Sequence, residues 1–400
     1  MTTAQAPGPR IYLDHAATTP LDPAVFEAMR PYLWEQFGNP SSLHGVGRRA
    51  RRALDEARAL IAGALAAKPD ELVFCATGTE SLNLAILGCA RAARSRGRHL
   101  VVSAIEHHAV LHAARALRNE GFAVTEVGVD HHGLVHPDAL RAALQPDTVL
   151  VSVGLANNEI GVVQDVAELA RLAHEAGAAF HTDAVQAAGQ LDINVDRLGV
   201  DLLSLAAHKF YGPVGAALLY ARKGVELARL SFGGPQEHDR RAGTENVPGI
   251  VGMAAALVRA EHAREARTAH CTALRDALIQ GVLSGVPGAM LTGHPTRRLP
   301  SIASFAFRDI EGESLLINLD LEGIEVSTGA ACAVGSVEPS HVIQALGLPA
   351  RYVAGALRCS VGLANTAVEM ARVAPAIARH VAKLMDLASA RHGAQPGSAP

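Results

Sequence analysis

Between residues 72 and 220, short apolar runs alternate with amphipathic stretches long enough to be helices. The runs, at 72–75, 100–105, 124–129, 149–155, 179–182, 202–206 and 216–220, read as seven strands. Strands that alternate with helices pack as a mainly parallel, doubly wound sheet, because a crossover helix must carry the chain back before each new parallel strand. Ahead of them, Asp22-Pro23 opens a helix to about residue 34, with Asp as the cap and Pro at the first position. Phe37-Gly38-Asn39-Pro40-Ser41-Ser42 is a loop, and an Arg/Ala-rich helix follows to about residue 67.

The pattern changes downstream. A long helix spans 247–266 and connects to a region where 301–307 alternates like a strand, 313–322 is helical, 356–363 is a strand and 367–390 is a closing helix. The expected architecture is therefore α/β, with a large domain at 15–262 and a smaller α+β domain made of 1–14 and 263–391. Residues 392–400 are expected to be a disordered tail. Four hundred residues exceed the usual size of one domain and agree with two.

Charge narrows the class of protein. Lys and Arg number 36 against 39 Asp and Glu, a net charge of -3, so neither nucleic acid nor a membrane surface is an expected partner. Arg48, Arg49, Arg51 and Arg52 precede Asp55 and Glu56 on one helix and read as a solvated face. No apolar stretch is long enough to span a bilayer, and the polar, Pro-rich first ten residues hold no signal-peptide core. Cys75, Cys89, Cys271, Cys332 and Cys359 are scattered with no C-x-x-C pair. That spacing argues against a disulfide framework or a metal site, and for a reducing cytoplasm.

The chemistry concentrates at strand ends. The runs His181-Thr182-Asp183-Ala184-Val185-Gln186 and Ala206-Ala207-His208-Lys209 would deliver a carboxylate and an amine to one edge of the sheet. Pyridoxal phosphate needs that combination: a lysine for its Schiff base, and a carboxylate that keeps its pyridine nitrogen protonated so the ring can accept electrons. Taken singly, each residue also reads as a surface lysine or a helix-capping aspartate. Ala76-Thr77-Gly78-Thr79-Glu80-Ser81, between a strand and a helix, offers backbone N–H groups and a hydroxyl suited to a phosphate, although such turns also arise for packing. Ile105-Glu106-His107-His108 ends another strand, where a flat imidazole can stack on a ring or shuttle protons. Asn157-Asn158-Glu159 supplies amides for a cofactor oxygen or a substrate, or simply for a turn.

Two further residues stand apart from these strand ends. Arg358 lies within an apolar run, where a guanidinium needs either a substrate carboxylate or an internal Asp or Glu. Cys332 sits in the small-residue segment Ser327-Thr328-Gly329-Ala330-Ala331-Cys332-Ala333-Val334-Gly335-Ser336, which reads as a mobile loop with an accessible thiol. The other cysteines fall mostly in apolar segments and read as small buried hydrophobes.

Together these runs resemble the cysteine desulfurases of the nitrogen-fixation and iron–sulfur-cluster type, within the aminotransferase-like fold type I. The resemblance is carried by Tyr12-Leu13-Asp14-His15-Ala16-Ala17-Thr18-Thr19-Pro20, Gly38-Asn39-Pro40-Ser41-Ser42, Thr79-Glu80-Ser81, Glu106-His107, Asn157-Asn158-Glu159-Ile160-Gly161, the Asp183 and Lys209 runs, Arg241-Ala242-Gly243-Thr244-Glu245-Asn246 and Glu338-Pro339-Ser340-His341. They span almost the whole chain in the expected order. The resemblance implies pyridoxal 5'-phosphate bound covalently to Lys209, which also moves the Cα proton. It places Asp183 at the pyridine nitrogen, Gln186 at the phenolic oxygen and His107 on the ring face. Gly78, Thr79, His208 and, from a second copy of the chain, Thr244 would hold the phosphate. Asn158 would contact cofactor and substrate, and Asn39 and Arg358 would bind the substrate. Cys332 would be the nucleophile that takes sulfur from L-cysteine as a persulfide and leaves L-alanine.

A homodimer, a sulfur-accepting protein such as an iron–sulfur scaffold, and no metal complete what the resemblance implies; tRNA thiolation is a further destination for the sulfur. Selenocysteine lyase or another amino-acid lyase or transaminase of this fold is the alternative activity, and a scaffold that has lost turnover is a third. Three departures stand out: Ala206 replaces a phosphate-binding Ser, Pro235 interrupts Gly233-Gly234-Pro235-Gln236-Glu237, and Ala333-Val334 replaces a Ser/Thr pair after Cys332.

Overall fold

The computed structural model describes residues 10–329 and 339–393. Its first strand, β1 (Ile11–Tyr12), stands outside the main sheet. That sheet contains the seven strands expected from the apolar runs: β2 (Leu72–Cys75), β3 (His99–Ser103), β4 (Ala123–Val127), β5 (Thr148–Ser152), β6 (Ala179–Asp183), β7 (Leu202–Ala206) and β8 (Ala217–Ala221). Their spatial order is β2-β8-β7-β6-β5-β3-β4. Only β8 runs against its neighbours β2 and β7; the remaining pairings are parallel. The expected runs 100–105 and 149–155 overshoot their strands. Val153 and Leu155 still give backbone N–H bonds to His181 and Asp183 and remain buried, so they look like strand although they already form the loop beyond it.

Both faces of the sheet are covered, as a parallel sheet requires. On one face Val101, Val151, Phe180, Leu203 and Leu218 pack against helices Gly45–Leu65, Val166–Glu175 and Val247–His262. On the other, Val73, Leu100, Leu150 and Leu202 pack against the helical run that starts at Gly78 and against helix His108–Arg118. Helix Pro23–Trp34 begins as its sequence dictates, with the Asp22 carboxylate accepting from the Ala24 N–H at 2.7 Å. The four arginines at 48, 49, 51 and 52 are exposed.

The helix expected at 247–266 is two helices, Val247–His262 and Arg264–Gly285, broken at Ala263. Neither Gly nor Pro marks the break. It falls where the chain changes cores: Leu257 and Ala260 pack on the sheet, whereas Leu274, Leu278 and Val282 pack with Ile11, Leu13, Phe305, Phe307 and Leu357. In that second core β10 (Ile302–Ala306) pairs antiparallel with β9 (Met290–Leu291) and β12 (Ala356–Ser360), and β11 (Ile324–Glu325) pairs parallel with β1. The last helix, Ala367–Gly393, takes in the first two residues of the expected tail. Residues 394–400 lie outside the described residues, as does Cys332 with the rest of 330–338. Among the described residues, no helix is long and apolar enough to cross a membrane.

Candidate active site

Five strand ends of the main sheet open on one cavity of about 340 Å³. Ligand sites in parallel sheets form at this edge, because the loops there diverge from a rigid support. Leaving β2 come Thr77, Gly78 and Thr79; after β3, Ile105, Glu106, His107 and His108; after β5, Gly154, Asn157 and Asn158. From β6 come Asp183, Val185 and Gln186, and from β7 Ala206, His208 and Lys209. Ala16 and Ala17 from the N-terminal segment, Gly329, His341 and Arg358 close the remaining side.

Lys209 follows β7 in a short turn that aims its Nζ at the N-terminal segment, where it donates to the carbonyls of Ala16 at 2.7 Å and Ala17 at 2.8 Å. Gln186 Nε2 reaches the same Ala16 carbonyl at 2.8 Å. Asp183 is the last residue of β6, and its Oδ1 accepts from the Val185 N–H at 2.9 Å. Burial pushes the Asp183 carboxyl up to about 6, against the pull of the Lys209 charge. His107 caps helix His108–Arg118, its Nδ1 accepting from the Ala109 N–H at 3.1 Å. Burial first, and the Lys209 charge second, hold His107 down at about 4, so it is neutral around pH 7. The same two causes hold His208 at about 4; its Nδ1 lies 3.1 Å from the Thr18 hydroxyl.

At the far end of the cavity, Thr77 caps the helical run with its hydroxyl on the Glu80 N–H at 3.0 Å. A Cβ on Gly78 would stand 3.3 Å from the Cβ of Ala206 and 3.5 Å from Val185. The backbone therefore lines the cavity where a side chain would crowd it, next to exposed Thr79.

Arg358 forms an internal ion pair and also lines the cavity. It is 2 % exposed, its Nη2 pairs with Asp14 Oδ1 at 2.5 Å, and its Nη1 donates to the Asn158 carbonyl at 2.9 Å. Its Nε has no partner among the described residues. The neighbouring Asn157 is structural: its side chain accepts from Glu159 and Ile160 and donates to the Ile105 carbonyl. Asn158 lines the cavity.

Two expected site residues do not line this cavity. Asn39 is exposed and bonds the Ser41 N–H within its own loop, and Thr244 is exposed beyond Arg241, which Glu80 holds at 2.8 Å. Gly329 brings the chain to the cavity edge three residues before Cys332, which itself lies outside the described residues. Conversely, Glu106 had been given no role of its own. Its Oε1 accepts from the Gly154 N–H at 2.7 Å, its Oε2 has no hydrogen-bond partner among the described residues, and burial pushes it up to about 8. Asp14, Glu159 and His341 were likewise visible only as parts of matching runs. Among the described residues no His, Cys, Asp and Glu cluster could hold a metal ion.

An amine, a half-buried carboxyl, a neutral imidazole and a glycine backbone in one cavity give a donor set that fits pyridoxal phosphate. Residues 11–373 match the family model described as aminotransferase class-V. The chain is 47% identical over 374 residues to "Cysteine desulfurase IscS" of Dictyoglomus turgidum, covering 94% of this chain and 95% of that one. It is 48% identical over 377 residues to "Cysteine desulfurase IscS" of Methanosarcina thermophila, covering 94% and 93%. A solved "NifS-like protein" superposes with a TM-score of 0.88 at 36% identity, over 94% of this chain and 100% of that one.

Proposed function

The chain belongs to the aminotransferase class-V family, and on that footing we propose that it is a pyridoxal-phosphate-dependent cysteine desulfurase. The observation that carries this reading is the meeting of Lys209 and Asp183 in one cavity that is also lined by Gly329, three residues before Cys332 in the sequence. When bound, the cofactor draws electrons from the substrate Cα and makes the Cβ–S bond labile. Everything else is done by the chain's own groups.

Lys209 anchors the cofactor covalently and moves the proton at Cα. Asp183 holds the proton on the pyridine nitrogen, a task that suits a buried carboxyl next to a cation. Gln186 would serve the phenolic oxygen and neutral His107 the ring, and Gly78, Thr79 and His208 would hold the phosphate, joined by Thr244 from a second copy. Asn158 orients cofactor and substrate, and Arg358 binds the substrate carboxylate; Asn39, exposed in its own loop away from the cavity, is given no part in this. The ion pair with Asp14 keeps the Arg358 fork oriented. Cys332 attacks the substrate sulfur as a thiolate: an S–S bond forms, the Cβ–S bond breaks with its electron pair going to carbon, a proton completes L-alanine, and a persulfide remains on Cys332.

In this reading residues 15–262 bind the cofactor, and 1–14 with 263–391 form the smaller domain that carries Cys332. The protein acts in the cytoplasm as a homodimer and hands its sulfur to an acceptor such as an iron–sulfur scaffold. Incubation with L-cysteine should yield alanine in step with sulfide. A Cys332→Ala variant that still transferred sulfur to a protein acceptor at the full rate would overturn the role of that thiol.

A further inference from the structure

The described residues stop at Gly329 and resume at Pro339, on either side of Cys332 in the sequence, and both margins approach one side chain. On the returning side, Ser340 Oγ donates to Glu159 Oε2 at 2.6 Å. On the departing side, Gly329 approaches the same carboxyl so closely that a Cβ there would stand 2.8 Å from Oε2. The φ of +96° at Gly329 is itself one that a side chain disfavours.

Glu159 is in turn held rigidly. It is 5% exposed, and the N–H groups of Glu159 and Ile160 both donate to Asn157 Oδ1 at 2.9 Å. Asn157 is tied to the Ile105 carbonyl beyond β3. Ser340 also caps helix His341–Ala345, so the contact joins that helix to the main sheet. Just upstream of Gly329, Ser327 exchanges two backbone hydrogen bonds with Arg358, at 3.1 and 2.7 Å. Burying a carboxyl costs free energy, and the Ser340 hydroxyl is the group that offsets it here.

We propose that Glu159 is a positioning residue for sulfur capture, its carboxyl holding Ser340 by a hydrogen bond and packing against Gly329, the two described points between which the chain carries Cys332. The inference rests on the desulfurase reading and deepens it. A nucleophile carried between two anchors reaches its target at a rate set by where those anchors lie, so displacing them slows the capture step without touching substrate binding.

The test uses the holoenzyme with Glu159→Ala, Ser340→Ala, the double variant and Glu159→Gln. Three quantities are read: the cysteine-dependent change in bound-cofactor absorbance, single-turnover persulfide formation on Cys332, and alkylation of Cys332 in cofactor-free protein. The last is specific because Cys75, Cys89, Cys271 and Cys359 are buried. The absorbance change should keep its amplitude and half-saturation in every variant. Persulfide formation should fall about tenfold in Glu159→Ala and in Ser340→Ala, the worth of one hydrogen bond to a carboxyl, and no further in the double variant. Glu159→Gln should restore most of the rate, because its amide oxygen still accepts from Ser340. Equal losses in absorbance change and persulfide formation, additive losses, or no loss would each overturn the proposal. Should the unaltered protein show no absorbance change with cysteine, the desulfurase reading fails. Alkylation then decides the matter by itself: a severalfold change in Glu159→Ala supports the anchor, and an unchanged rate refutes it.

Discussion

Replacing Glu106 with Gln removes a titration while keeping the shape of the side chain. The amide oxygen can still accept from the Gly154 N–H, and the second oxygen has no hydrogen-bond partner among the described residues to lose. Burial raises the folded carboxyl from 4.5 to about 8; the Gly154 N–H pulls it down, the Asp183 charge pushes it up, and Ser103 pulls it down. Folded Glu106 therefore keeps its proton through a range in which the unfolded chain has lost it. Its contribution to stability is complete below about pH 4.5 and drains away as pH rises to about 8. At about 1.4 kcal/mol per pH unit the full range is worth roughly 5 kcal/mol.

Other buried groups confine the window in which this effect is seen alone. Asp183, raised from 3.8 to about 6, has the same sign but is finished by about pH 6. His15, His107 and His208 at about 4, and His181 at about 3, have the opposite sign. Held neutral in the fold, they add stability as pH rises and stop at the ordinary histidine value of 6.5. Of these groups Glu106 is the one still titrating between pH 6.5 and 8, so over that interval the unaltered protein should lose roughly 2 kcal/mol relative to Glu106→Gln. Denaturant unfolding of cofactor-free protein at the two pH values measures the difference. Parallel pH dependences of the two proteins would refute the assignment of a neutral buried acid at this position.

Three further outcomes are expected. Asp14→Ala strips the partner from an arginine that is 2 % exposed, and should lower unfolding stability by about 3 kcal/mol; a loss below about 1 kcal/mol would mean Arg358 finds another partner. Ala206→Ser puts a hydroxyl at the cavity wall beside Gly78 and should tighten cofactor binding about tenfold or more in spectroscopic titration of cofactor-free protein, whereas unchanged affinity would place the phosphate elsewhere. Lys209→Ala should abolish covalent attachment, so that borohydride reduction followed by mass measurement finds no pyridoxyl group on the chain; a pyridoxyl mass on the variant would move the attachment to another lysine.

The main sheet was legible because each buried strand is a compact apolar run, and β2 and β7 fall where the runs predict. The ends of β3 and β5 were overread for the same reason: the loops that build the cavity are themselves buried, and burial is what an apolar run reports. The break at Ala263 left no mark in the sequence, since it depends on which core the following helix joins. Lys209 and Asp183 could be singled out from chemistry because few side chains suit the tasks proposed for them, and the structure brings both to one cavity. His107 could not be told from His108 without the family pattern, and the structure shows why: both are half-buried and both line the cavity.

What stayed hidden was pairing across distance. Arg358 demanded an anion, but nothing local could say that it lies 344 residues away at Asp14, and Glu159 meets Ser340 across 181 residues. Such contacts carry no periodicity and no spacing, so a single sequence cannot reveal them. They also join the N-terminal segment, the sheet and the smaller domain around one cavity, which explains why residues that line the cavity could be picked out by type while those that hold them in place could not. A ligand-facing residue is selected by a chemical task that its type announces. A supporting residue is selected by its distance to one other atom, and only the fold sets that distance.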